Sequence, residues 1–448
     1  IEGLNSPMKK IIPLLVGGLL PVLAQAAPVM TKPASLLTLG TGATPQTGLS
    51  IMYNPAAGET VIEEGENFRW GYLASMGVAV ELGDADNFGD DVDELIETLE
   101  ADNVTAAEGN EAIENYNNNI RHKLGDEGYI KTDIHVVAPL APFSIRSDAL
   151  GGVLSLDAMG GITIKASVLD DDITVNTFTQ EFETNTAAYL KSAEYFSIGL
   201  GYSRAINHSL VTKFTDPLGG RLLAGVRGNL YTYSLSKQVV GLLNVDEDDE
   251  LSDVIQDDIS SNKKTTSAIG VDLGLIWEAA NYHIGYTWRN VNEPEFEYGS
   301  LGENCSSKDS ATSMSNCFTA LYFAAKDQLA LNEVYVMTSQ SSIDAAINTE
   351  NKRLRLAASY DLQPVRDPIG DEYQWASLSA AYVSSSFIGG RIGLSKNQAG
   401  SELTMLNAGL SLFGGMNLDV SYSLDTIEAD GDTLPRAFGI NLGFENSF

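Results

Sequence analysis

RAFGINLGFENSF, residues 436–448, decides the fold. Phe438, Ile440, Leu442, Phe444 and Phe448 are apolar, and Ala437, Gly439, Asn441, Gly443 and Glu445 stand between them. Successive side chains of an extended strand face opposite sides. One face of this segment is therefore greasy and aromatic, the other small and polar. The pattern recurs upstream. Met416, Leu418, Val420, Tyr422 and Leu424 alternate with Asn417, Asp419, Ser421 and Ser423, and Leu354, Leu356, Ala358, Tyr360 and Leu362 with Arg355, Ala357, Ser359 and Asp361. Tyr282 to Trp288, Ile269 to Trp277 and Phe196 to Tyr202 repeat it.

A soluble sandwich also alternates, with its apolar face on a core and its polar face in water. Three features favour a membrane barrel instead. The alternating runs are about ten residues long, enough to cross a bilayer at a tilt. Trp288, Tyr360 and Tyr422 fall near strand ends, where an interfacial aromatic girdle belongs. An aromatic residue, Phe448, closes the last strand, which resembles the recognition signal of bacterial outer-membrane barrels. The expected fold is all-β: a closed antiparallel transmembrane β-barrel of about 14 strands, with 12 or 16 left open. The spanning strands are placed near residues 69–82, 149–158, 161–170, 187–204, 220–237, 264–278, 281–290, 332–340, 353–363, 373–385, 388–396, 403–412, 415–425 and 436–448.

Tight turns are expected at Gly160-Gly161, Gly389-Gly390, Gly414-Gly415 and Glu278–Asn281. Long polar loops are expected at 241–266, 292–331, 363–372 and 426–435, matching the short periplasmic turns and long outer loops of such barrels. Two long connections, 207–219 and 341–352, fall on the periplasmic side and break the scheme.

The N-terminus reads as an export signal. Met8-Lys9-Lys10 precedes an apolar run from Ile11 to Leu23, and Ala24-Gln25-Ala26 fits a small-residue cleavage site. Residues 1–26 are therefore a scar or misplaced start followed by a signal peptide. Residues 27–67 do not alternate and are expected either to fold into the lumen as a plug or hatch or to remain a periplasmic tail. Residues 68–448 are the barrel, with a helical insertion at 84–128, where Val92, Leu95, Ile96 and Leu99, then Ile113, Tyr116, Ile120 and Leu124, fall at helix spacing. The expected location is the bacterial outer membrane. Cys305 and Cys317, in a polar stretch of an exported chain, are expected to form one disulfide.

The chain carries 27 Lys and Arg against 60 Asp and Glu, a net charge of −33. This excludes nucleic acid as a partner, because phosphate binding needs clustered cations. The expected partners are the lipid bilayer and lipopolysaccharide, with a small hydrophobic ligand, detergent or lipid in the lumen. No catalytic constellation is present. His122, His135, His208 and His283 form no metal-binding motif, and no nucleophile or phosphate-binding motif occurs. No enzyme activity, cofactor or metal is expected. Asp84 to Asp90 half resembles a calcium loop but places Leu95 where a bidentate Glu is needed. Asp246 to Glu250 reads as a solvated acidic loop.

The polar strand faces point Lys165, Arg227, Asp272, His283, Arg289, Arg355, Asp361, Arg391, Asp419 and Asn441 into the lumen. There they either line a wet path or pair with one another around a plug.

GLSIMYNPAAG, residues 48–58, carries Tyr53-Asn54-Pro55-Ala56 ahead of the first strand. It resembles the Asn-Pro-Ala element of the fatty-acid-transporter (FadL-like) superfamily of outer-membrane barrels. VELGDADNFGDDVDELIETLEAD and PLAPFSIRSDALGG resemble the conjugal-transfer TraF-like outer-membrane family. The resemblance implies a plugged barrel in which Leu49, Ile51, Met52, Tyr53, Asn54, Pro55 and Ala56 belong to the hatch and stand where an apolar ligand would pass. Two functions follow: passive transport of small hydrophobic molecules, or an envelope interaction protein associated with plasmid conjugal transfer.

Overall fold

The structure, a computed structural model, describes residues 32–42, 44, 47–62, 65–84, 106–121, 125, 127–175, 182–207, 219–241, 262–383, 389–412, 415–429 and 432–447. The export signal, Phe448, the first insertion helix, His122, His208 and the Asp246–Glu250 run lie outside these residues. No described helix is long and apolar enough to cross a membrane.

The described strands close into an antiparallel barrel of 14 strands. In chain order these are β1 Phe68–Leu82, β2 in two halves (Tyr129–Val137 and Phe143–Ser147), β3 Gly152–Leu169, β4 Ala187–Ala205 and β5 Gly220–Gly241. Then follow β6 Lys264–Ala279, β7 Tyr282–Arg289, β8 Gln340–Asn348, β9 Leu354–Asp361 and β10 Trp375–Val383. β11 Gly389–Asn397, β12 Thr404–Leu412, β13 Met416–Ser423 and β14 Ala437–Ser447 complete the circuit. Each strand pairs with its sequence neighbours, and β14 returns to β1, so no amide row is left open to lipid.

The polarity is inverted relative to a soluble protein. Leu200 and Leu378 are each 63% exposed on the outer face, whereas Asp157, Asp419 and Asn441 are 0% exposed on the inner face. This is the two-sided pattern of a membrane barrel. Trp288, Tyr360 and Tyr422 are exposed on the outside.

Four placements differ from the sequence reading. Gly389-Gly390, expected as a turn, opens β11 and pairs with Val383 and Tyr382 on one side and Ser411 and Leu410 on the other. Gly160-Gly161 is not a turn; β3 runs straight through it, Gly160 opposite Phe196 and Gly161 opposite Tyr195. The glycine serves close approach, since a Cβ on Gly161 would lie 2.2 Å from the Ile134 carbonyl oxygen and 2.7 Å from the Tyr195 hydroxyl. The segment left unassigned, 129–147, is β2. It is broken around Pro139 and Pro142, but the break stays tied to β1 by Gly71 N–H to Pro142 O (2.9 Å) and Leu140 N–H to Tyr72 O (3.1 Å). Finally, the spanning strand is 340–348, where a periplasmic connection was expected. Residues 334–336 instead pair with Glu295–Glu297 in a loop hairpin. Splitting β3 and missing β2 cancel in the count.

The long connections gather at one end. Helix Ala106–Asn115 and the turn Tyr116–Ile120 dock there, with the Asn117 amide exchanging hydrogen bonds with the Ile173 backbone (3.0 and 3.1 Å). The loop between β7 and β8 carries the hairpin, helix Ala311–Ala325 and the Cys305–Cys317 disulfide, with Cα atoms 5.3 Å apart. β3, β4 and β5 extend past their neighbours at this end, and the loops fold in against their inner face. Phe296, Tyr298, Tyr335 and Met337 pack on Tyr195, Tyr231 and Tyr233 there, forming a cap over the mouth.

Candidate functional site

The described residues of the N-terminal segment, 32–42, 44 and 47–62, lie inside the barrel. Ala34 N–H donates to Ser75 Oγ (2.8 Å), Thr38 Oγ1 to Asp419 Oδ1 (2.5 Å) and Thr47 Oγ1 to Glu445 Oε1 (2.7 Å). From the wall, Ser379 Oγ donates to Leu39 O (3.1 Å), Asn441 Nδ2 to Lys32 O (3.1 Å) and Arg227 Nη1 to Met52 O (2.8 Å). The Asn-Pro-Ala element makes a short turn. Asn54 Oδ1 accepts from Ala56 N–H (3.0 Å), and Pro55 occupies the first position, where no amide is needed. It rests on inward glycines: a Cβ on Gly225 would lie 2.3 Å from Ala56 N, and one on Gly274 would lie 2.1 Å from Asn54 Oδ1.

Leu49 and Ile51 pack with Val61, Val137 and Val153 into an apolar cluster between segment and wall. Met52 shares that cluster and, with Tyr53, also borders a chamber of about 110 Å³. The chamber lies between the N-terminal segment and the cap. Met159, Tyr231, Tyr335, Tyr373 and Trp375 supply its apolar and aromatic lining.

Arg227, Asp272, Arg289 and Asp361 converge on this chamber. Arg227 is clamped by Asp157, with Nε to Oδ2 at 2.9 Å and a second, shorter contact, and reaches Asp272 at 3.4 Å. Asp272 also accepts from Asn229 (2.7 Å) and from the Asn290 amide (2.8 Å). Arg289 bonds Gln340, lies 3.5 Å from Asp361 and stacks over Tyr53 at 5.8 Å. The other candidates lie elsewhere. His283 pairs with Asp344 (2.7 Å), and Arg355 reaches the other ring nitrogen (3.2 Å). Arg391 holds Asp419 (Nε to Oδ1, 2.7 Å), behind Thr38. Lys165 contacts Asp371.

Sequence reasoning missed Asp157, Asp344, Lys32, Tyr373 and Trp375. Strict alternation through β3 would have found Asp157. Asp344 was hidden by reading 341–352 as a connection. Nothing in the sequence marks Lys32.

A further array joins the cap to the extended wall. Lys131, Lys165, Lys191 and Lys237 are direct cross-strand neighbours on β2, β3, β4 and β5, all facing inward. Like charges so placed repel. Loop carboxylates offset this: Asp367 and Asp371 accept from Lys131 (2.8 and 3.0 Å), and Glu333 accepts from Lys191 (2.5 Å) and Lys237 (3.4 Å). Burial would raise the Asp371 carboxyl, but Lys131 and Lys165 outweigh it and hold the pKa at about 2. Outside the barrel, burial acts the same way on Asp171, yet bonds from Lys326, Asn185 and Tyr322 bring it down to about 2. Among the described residues no cluster of three or more His, Cys, Asp or Glu side chains is arranged to hold a metal ion.

A closed barrel with a polar interior, a segment folded into its lumen and a chamber beneath a cap defines a plugged membrane barrel. The family described as "F plasmid transfer operon, TraF, protein" matches residues 51–361, most of the chain, and the chain belongs to that family. Among solved structures it is similar to the P. putida toluene transporter TodX (12% identity, TM-score 0.45, covering 93% of this chain and 99% of that one). It is also similar to the Ralstonia pickettii toluene transporter TbuX (12%, 0.35, 94% and 99%) and a Pseudomonas aeruginosa FadL homologue (10%, 0.41, 95% and 98%). No curated protein matches the chain.

Proposed function

We propose that the chain is a bacterial outer-membrane channel of the FadL-like kind. It passes small hydrophobic molecules without covalent chemistry, and its environment is the bilayer and lipopolysaccharide. The observation that carries this reading is the chamber between the N-terminal segment and the cap, where aromatic and methionine side chains share the lining with charged ones. The N-terminal segment is held by hydrogen bonds to the wall, each worth about 1 kcal/mol net, and by the buried side chains of Leu36, Leu49, Ile51 and Val61. Its movement opens the path. The chain is not an enzyme on this reading, and binds no cofactor.

The test is entry of toluene into liposomes carrying the purified protein. Faster entry than into protein-free liposomes is expected; equal entry sinks the proposal. A second reading, an envelope interaction protein associated with conjugal transfer, draws on the chain's family, described as a plasmid-transfer-operon protein, and on the disulfide-braced cap. Under it, deletion of the gene lowers plasmid-transfer frequency, and an unchanged frequency counts against it.

A further inference from the structure

The chamber's charge runs against that of the chain. The protein is strongly acidic, yet the chamber presents Lys32, Arg227, Arg289 and Arg366 against only Asp272 and Asp361. Three of these cations have anionic partners: Arg227 with Asp157 and Asp272, Arg289 with Asp361, and Arg366 with Glu372 at 2.9 Å. Lys32 differs. It is only 8% exposed, and its ammonium makes no hydrogen bond or ion pair with any described residue; Asp361 acts on it only at longer range. It lies over the face of Trp375, 5.2 Å from the ring centroid. Trp375 stacks on Tyr373 with centroids 6.0 Å apart and planes 11° apart. Lys32 and Trp375 border both the chamber and a smaller adjoining cavity of about 30 Å³.

A buried ammonium without a bonded anion is costly to keep. A cation–π contact replaces only part of its lost hydration. Such a group, aimed into a chamber lined by aromatic rings, is a receptor for an anion with a flat apolar body. The chamber's size limits that body: an engineered cavity of roughly 150 Å³ takes one benzene ring, and this chamber is of that order.

We infer that the chamber binds a small aromatic monocarboxylate, its carboxylate on the Lys32 ammonium and its ring among Trp375, Tyr373, Tyr231 and Tyr335. The inference rests on the channel reading and narrows its solute to one with an anionic end.

The test is calorimetry on the full chain in lipid nanodiscs, with benzoate and its neutral counterpart benzyl alcohol as probes. Benzoate is expected to bind about tenfold more tightly, the worth of one charge-assisted hydrogen bond. Lys32→Met should erase the difference between the two probes. Lys32→Arg should retain it, which separates loss of charge from loosening of the segment. Equal binding of the two probes by the native chain overturns the inference, as does a preference that survives Lys32→Met. Tighter binding of octanoate than of benzoate overturns its aromatic part. Toluene entry into liposomes is measured alongside. Entry without any benzoate preference defeats this inference and leaves the channel reading standing; no entry, with the preference intact, defeats the channel reading alone.

Discussion

At the scale of single residues, the inner wall is shaped to receive backbone. Gly225, Gly274 and Gly393 face the N-terminal segment where any Cβ would collide with its main chain or with Asn54. Gly274→Ala should therefore lift the Asn-Pro-Ala turn, at a cost of about 1–3 kcal/mol for overpacking. Hydrogen exchange at residues 48–62 should rise while exchange in the barrel strands stays unchanged. Lys32 makes a second prediction. Burial, the largest influence, pulls its pKa down to about 8, against an opposing pull from Asp361. A lysine depressed in the folded state opposes docking while it is charged. That penalty is full below pH 8 and fades between about 8 and the ordinary value of 10.5. Protection of residues 32–62 should thus increase from pH 7 to pH 10, and the increase should vanish in Lys32→Met. Much of the chamber was legible in the sequence, because Arg227, Asp272, Arg289 and Asp361 sit on the polar parity of alternating strands. Lys32 and Trp375 were not. Their importance comes from a meeting between the segment and β10 that no local pattern encodes.

At the scale of elements, alternation was readable where strands carried unbroken apolar faces and was obscured where the run was short, polar-rich or interrupted by proline, although β2 keeps Ile130, Ile134 and Val136 and β8 keeps Ile343 and Ile347 on one face. β8, Gln340–Asn348, has Ala345 and Ala346 at its middle and reads as a loop. β2 carries Lys131, Asp133 and His135, all buried, and is interrupted beside two prolines. These polar residues serve the lysine row and the lumen. Lys131 and Asp367 are the most buried pair of that row. Asp367→Asn should weaken docking of the 362–374 loop by about 3 kcal/mol, the loss expected when one partner of a buried pair is removed. The readout is hydrogen exchange in that loop. Asp371, held at about 2, contributes stability above the ordinary carboxylate range, and loses it as pH falls from about 4 through 2. The Asp371 contacts should hold at pH 5 and be lost only in strong acid, whereas burial raises the pKa of Asp367, so its contribution changes with pH in the opposite sense. In the β7–β8 loop, reducing Cys305–Cys317 should cost about 2–3 kcal/mol of local stability by the loop-closure argument. That loss should appear as faster exchange in helix 311–325, with the barrel strands unaffected.

At the scale of the whole molecule, one circuit of strands, greasy outside and polar inside, encloses a chamber covered on one side by the N-terminal segment and on the other by the loops. The circuit was legible because the membrane imposes alternation on almost every strand. Of the chamber, only the residues supplied by the wall were legible; its closure depends on how two non-alternating segments fold into the lumen. On the channel reading, the N-terminal segment closes a path that the barrel otherwise holds open. The decisive experiment is single-channel conductance in a planar bilayer, comparing the chain from residue 27 onward with one lacking residues 27–67. Silence is expected from the longer form and steady conductance from the shorter. Silence from both, with the truncated barrel shown to be folded, would contradict that reading and mean a lumen filled by its own side chains and cap.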